Sequence, residues 1–90
     1  MKYNVIWRPA TERHLARLWS AATDKDAISQ AVNTIDSLLS REPSAAGESR
    51  SGDTRILVVE PLIVYFDVIE ANCTVAVWAV WRTRPRKKSS

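Results

Sequence analysis

Residues 55–82 read RILVVEPLIVYFDVIEANCTVAVWAVWR, and this stretch decides the fold. It concentrates Val, Ile, Tyr, Phe and Trp, the side chains that fit a pleated, packed surface. Its breaks, at Glu60-Pro61 and around Ala71-Asn72, divide it into runs of strand length. The spacing therefore predicts a three-stranded antiparallel meander. A spanning helix is excluded by counting, because Glu60, Pro61, Asp67, Glu70 and Asn72 leave no apolar run near the ~20 residues it needs. In the second run Leu62, Val64, Phe66 and Val68 share a side, with Ile63, Tyr65, Asp67 and Ile69 opposite. Strict alternation in the third run sets Val75, Val77, Ala79 and Trp81 against Ala76, Trp78, Val80 and Arg82. Both faces are substantially apolar. Helices are expected to cover one, and Ile63, Trp78 and Val80 are the candidate partner-binding residues of the other.

Working outward, Met1 to Arg8 alternates, with Tyr3, Val5 and Trp7 on one side, which predicts a strand stopped by Pro9. Leu15, Leu18, Trp19 and Ala22 then form a helical stripe from Ala10 to Ala22. Thr23 followed by Asp26 has the form of a capping box, so a second helix is expected from there to about Ser40. Its stripe is Ile28, Ala31, Val32, Ile35, Leu38 and Leu39. Arg41 to Asp53, with Pro43, Gly47 and Gly52, reads as a loop. The expected architecture is α+β: an N-terminal strand, a two-helix hairpin and the meander, forming one sheet with the helices on one face. Residues 1–84 make a single domain and 85–90 a basic, flexible tail.

The chain of 90 residues is 46% apolar, which suits one small globular domain. Such a domain buries only roughly 60–65% of its unfolded surface, so a modest core and a useful partner are expected. A lone cysteine, Cys73, excludes an internal disulfide, and a lone histidine, His14, has no second ligand at metal spacing. Neither a metal nor a cofactor is expected: glycine-rich phosphate loops are absent, and a serine hydrolase would need a histidine base beside a nucleophile elbow. The N-terminus lacks the apolar core of a signal peptide, so a cytoplasmic protein is expected.

The formal charge of +3 is unevenly spread, because Arg82, Arg84, Arg86, Lys87 and Lys88 put five cations into seven residues. Arg50 and Arg55 flank the start of the meander. An anionic partner, either RNA or an acidic protein segment, would match this distribution, although a solvated tail has the same composition. Arginines can promote RNA cleavage by stabilising the charge that builds on phosphorus while a 2′-hydroxyl attacks in line. Arg55, Arg82 and Arg84 are the candidates, provided the ends of the first and last strands of the meander meet, and Tyr65 could supply a proton or a stacking surface. Arg50, Arg86 and Lys87 are the candidate RNA-binding residues. Strand-end arginines also serve simply as solubilising groups.

The order of elements, with YNVIW, AVNTIDSLLSREP, RILVVEPLIVYFDV and CTVAVWAVWR, resembles the RelE/ParE superfamily of toxins, plasmid-stabilisation-like proteins of type II toxin–antitoxin systems. The resemblance covers nearly the whole chain up to Arg82. It implies an antitoxin partner that wraps the toxin in a hetero-oligomer and blocks its working surface. It also implies translation inhibition by ribosome-dependent mRNA cleavage in RelE-like members, an endoribonuclease activity, or DNA gyrase inhibition in ParE-like ones. Arg82 falls where the family tends to place an arginine at the end of the last strand. Two departures stand out: Ile63 occupies a position where arginine is common after a Pro-Leu pair, and no tyrosine follows Arg82. They leave open a degenerate homologue that only binds its partner.

Overall fold

Alternation at the N-terminus and in the meander resolves into strands of one mixed sheet, in the order β1, β5, β4, β3, β2. The computed structural model describes residues 2–83. Its elements are β1 (Asn4–Trp7), α1 (Pro9–Ala21), α2 (Lys25–Arg41), a single turn α3 (Pro43–Ala46), β2 (Glu48–Ser51), β3 (Thr54–Val59), β4 (Leu62–Ile69) and β5 (Thr74–Arg82). The three strands of the meander are antiparallel neighbours, as expected. β1 joins the sheet parallel to β5, Asn4 facing Thr74 and Trp7 facing Val77.

Pro9 supplies the first residue of α1, where a missing N–H costs no helical hydrogen bond. The expected capping box of α2 does not form. Asp24 is the N-cap and makes no side-chain cap, since its carboxylate is turned to Arg82 instead. The stripe of α2 behaves as its spacing requires: Ile28, Ala31, Ile35 and Leu39 are buried against Leu57, Leu62, Val64, Phe66, Val75, Val77 and Val80. Two hydrogen bonds tie β1 to α2, from the Tyr3 N–H to the Ser40 carbonyl (2.7 Å) and from Trp7 Nε1 to Asp36 Oδ1 (2.8 Å).

The structure corrects two expectations. The segment expected to be a loop contains α3 and the edge strand β2, which pairs antiparallel with β3 around the two-residue turn Gly52-Asp53. Gly52 takes a φ of 56°, a conformation with little penalty for glycine. Second, alternation is broken in β5. Tyr65 faces Ala79 but Phe66 faces Val77, so Trp78 is one residue more than its partner strand provides. Such a bulge reverses the sides of everything beyond it. Val80 is therefore fully buried with Val75 and Val77 on the helix side, and Ala79 and Trp81 lie on the other.

Gly47, between α3 and β2, is required for close approach. A Cβ there would collide with the Ile56 carbonyl oxygen and press on the Phe66 ring at 3.3 Å. Gly47→Ala should destabilise the fold by about 1–3 kcal/mol, the range for overpacking, read as a lowered urea midpoint with an unchanged slope.

Candidate functional site

One face of the sheet is covered and the other is open. Five of the six large apolar side chains most exposed in the described residues belong to strands, and Val58 (52%), Trp81 (51%), Ile6 (45%) and Trp78 (41%) are the principal ones on the open side. Cross-strand register places them together: Trp81 beside Ile63, Ile63 beside Val58, and Ile6 beside Ala76. Contiguous exposed apolar side chains of this kind have the composition of a docking surface.

The bulge gives this face its polar centre. Trp78 packs on Tyr65 with ring centroids 5.4 Å apart, and its Nε1 donates to Asp67 Oδ1 at 3.2 Å. The Thr54 hydroxyl donates to the same oxygen at 2.8 Å. At the upper end Trp81 meets His14 of α1 edge to face, with centroids at 5.2 Å. Toward β2 the face continues into a groove of about 470 Å³ that includes Glu48, Arg50, Ile56, Val58 and Ile63.

Among the described residues, the proposed catalytic side chains of Arg55, Arg82 and Tyr65 are not brought together. Arg55 faces Phe66 in the middle of β4 and Arg82 faces Leu62 at its start, about 13 Å apart along it. The condition that the ends of β3 and β5 meet is not fulfilled, because both strands run antiparallel to β4, so the start of one and the end of the other lie toward opposite ends of it. Both arginines also share the parity of the buried residues, whereas Tyr65 is on the open face. Arg55 Nη2 donates to the Gly47 carbonyl at 2.6 Å, and its buried Nε has no partner among the described residues. This half-buried guanidinium fastens the start of β2 to β3. Arg82 Nη2 binds Asp24 Oδ2 at 2.6 Å, with both side chains about one-third exposed.

Of the remaining candidates, Arg50 lines the groove at the margin of the open face, and Ile63 and Trp78 lie on that face. Val80 does not; the bulge turns it into the core. Arg84, Arg86 and Lys87 lie outside the described residues. Asp67 was missed as a functional residue, although the alternation of β4 already set it beside Tyr65. Asp24 was missed because nothing local links it to Arg82. Among the described residues no group of His, Cys, Asp and Glu could hold a metal, and no helix is long and apolar enough to cross a membrane.

No protein-family model matches the chain, and no curated protein matches it in sequence. Solved structures do match. A chain of the toxin–antitoxin complex RelBE2 from Mycobacterium tuberculosis superposes with a TM-score of 0.76 at 18% identity, over 91% of this chain and 92% of that one. The fold is that of the RelE and ParE toxins. The isolated Escherichia coli RelE toxin matches with a TM-score of 0.67 at 14% identity, over 94% of this chain and 88% of its own. The chromosomal ParDE system of Pseudomonas aeruginosa gives 0.66 at 16% identity, over 92% and 98%. The architecture expected from the order of elements is thus found, with β2 added to it.

The hydrogen bond from Arg82 holds the Asp24 carboxyl below its ordinary range, against a smaller opposing effect of desolvation. A carboxylate favoured in the folded state contributes stability above its unfolded pKa and loses it as pH falls through the folded one. Asp24→Asn should therefore lower the urea midpoint at neutral pH, and the difference from wild type should vanish in acid. An Arg82→Ala variant should move the Asp24 titration, followed by carboxyl carbon NMR, back up toward the ordinary value.

Proposed function

We propose that this chain is the toxin component of a type II toxin–antitoxin pair, acting in the cytoplasm and held inactive in a hetero-oligomer with its antitoxin. The fold shared with toxins of RelBE and ParDE systems supports this reading. Its working surface is the open face of the sheet, and the observation that carries the mode of action is the make-up of that face. Apolar and aromatic side chains surround the Asp67 carboxylate, and the adjoining groove adds one acid, Glu48, and one described cation, Arg50. Such a face suits a protein target and repels the phosphates of RNA. Inhibition of DNA gyrase through protein contacts accordingly fits the geometry better than nucleolytic chemistry.

A second reading, ribosome-dependent mRNA cleavage, has one observation in its favour. Arg82 ends β5 with a partly exposed guanidinium, and the sequence continues into Arg84, Arg86, Lys87 and Lys88. In that reading Arg82 and Arg84 would stabilise charge at the scissile phosphate, and Arg50, Arg86 and Lys87 would hold the message on the ribosome. Arg55, spent on the Gly47 carbonyl, would take no part.

Induced expression should arrest growth, and co-expression of the product of a short neighbouring reading frame should relieve the arrest. Under the gyrase reading the DNA-damage response rises, and primer extension finds no new 5′ ends in messages. Appearance of discrete 5′ ends that Arg82→Ala removes would replace it with the nuclease reading. Undisturbed growth at full expression would sink the toxin assignment.

A further inference from the structure

The open face can be laid out in rows from the strand register. Trp81, Ile63 and Val58 make one row, Ala79, Tyr65 and Ile56 the next, and Ala76, Asp67 and Thr54 a third, with Trp78 standing in the bulge between the last two. Asp67 is the one carboxylate that β3, β4 and β5 give these rows, and none of the three strands adds a cation to them; β2 extends the second row with Glu48, exposed at the margin opposite Ile56. Asp67 is half-buried. Its Oδ1 accepts from Thr54 at 2.8 Å and from Trp78 at 3.2 Å. Both donors are neutral, so they fix the direction of the carboxylate without cancelling its charge.

Whatever covers this face removes Asp67 from water. A wholly apolar segment would leave a buried charge without a partner, which is strongly unfavourable. Nucleic acid would bring phosphates against it. A protein segment with one cation among apolar side chains satisfies both the centre of the face and its surroundings, and the preset orientation of the carboxylate lowers the cost of forming the pair.

We infer that Asp67 is the specificity-determining residue of the open face, which takes a partner-protein segment whose Lys or Arg, flanked by apolar side chains, pairs with this carboxylate. The inference deepens the toxin–antitoxin reading, in which the segment belongs to the antitoxin. Asp67 acts here as a filter: the apolar rows supply contact area, and the charge decides which apolar segments are admitted.

The test uses random twelve-residue peptides displayed on phage and selected on the full-length chain, with Asp67→Asn as the counter-target. Asparagine keeps both accepted hydrogen bonds, and an unchanged thermal transition confirms the fold. Enriched peptides should carry a Lys or Arg between apolar residues and bind Asp67→Asn roughly 30-fold or more weakly, the order expected for losing one member of a buried charge pair. Binding to Val58→Asp should also fall, which places the peptide on this face. The inference is overturned if enriched peptides lack a cation or bind wild type and Asp67→Asn equally. It is also overturned if light scattering finds a homodimer that Val58→Asp dissociates, or if an RNA oligonucleotide competes with the peptides. Selection of the expected peptides alongside an antitoxin that neither binds nor neutralises the chain would leave this inference standing and reject the toxin–antitoxin reading.

Discussion

Because a chain of 90 residues closes only one core, the seam between α2 and the central strands determines everything else. Ile28, Ala31, Ile35 and Leu39 press on Leu62, Val64 and Phe66 of β4 and on Val75, Val77 and Val80 of β5. The sheet thereby acquires a covered side and an open one. Large side chains of the other parity are turned toward solvent even when apolar, although Ile56 and Ala76 are buried there by their neighbours. That is why Trp81 and Val58 remain half in water while Val64 and Val80 do not.

The placement of Trp78 shows how much hangs on one inserted residue. Without the bulge, Val80 and Arg82 would project to the open face and Trp81 into the core. With it, a valine fills the seam, an arginine meets Asp24 at the junction of the helices, and Trp78 is left where it can hold Asp67 and Tyr65. Position in the strand, more than residue type, decides which groups make up the open face. The two arginines that looked most suited to phosphate chemistry are both engaged by the fold, Arg55 with a backbone carbonyl and Arg82 with a carboxylate.

Elements with strong periodicity were legible in the sequence: both long helices, the meander and its breaks, and the N-terminal strand. β2 was not, because Glu48–Ser51 has no branched or aromatic residue and exists through its pairing with β3; the Gly52-Asp53 turn was the local signal for it. The reversal in β5 left no mark in composition, since alanine and valine occur on both sides of it. Alternation put Tyr65, Ile63 and Trp78 on the side of the sheet opposite the helices, where the register has them. It misplaced Val80 through the bulge, and the pairing of Arg55 with Arg82 was at odds with the predicted meander, since the first and third strands of an antiparallel meander run the same way and keep the start of one from the end of the other. The Asp24–Arg82 pair joins residues 58 apart in the chain and has no local signature.

The parallel pairing of β1 with β5 has a consequence for how the protein comes into being. β1 precedes every other described element in the chain, yet its one neighbour in the sheet is the last described strand. Helices and the hairpins of β2, β3 and β4 are local and form early, whereas this contact spans about seventy residues and must wait. β5 lies between β1 and β4 and carries Trp78 and Trp81, so the open face is completed by the strand that seals the sheet. A nascent chain thus reaches its finished surface only once β5 has been made and has paired with β1 as well as β4.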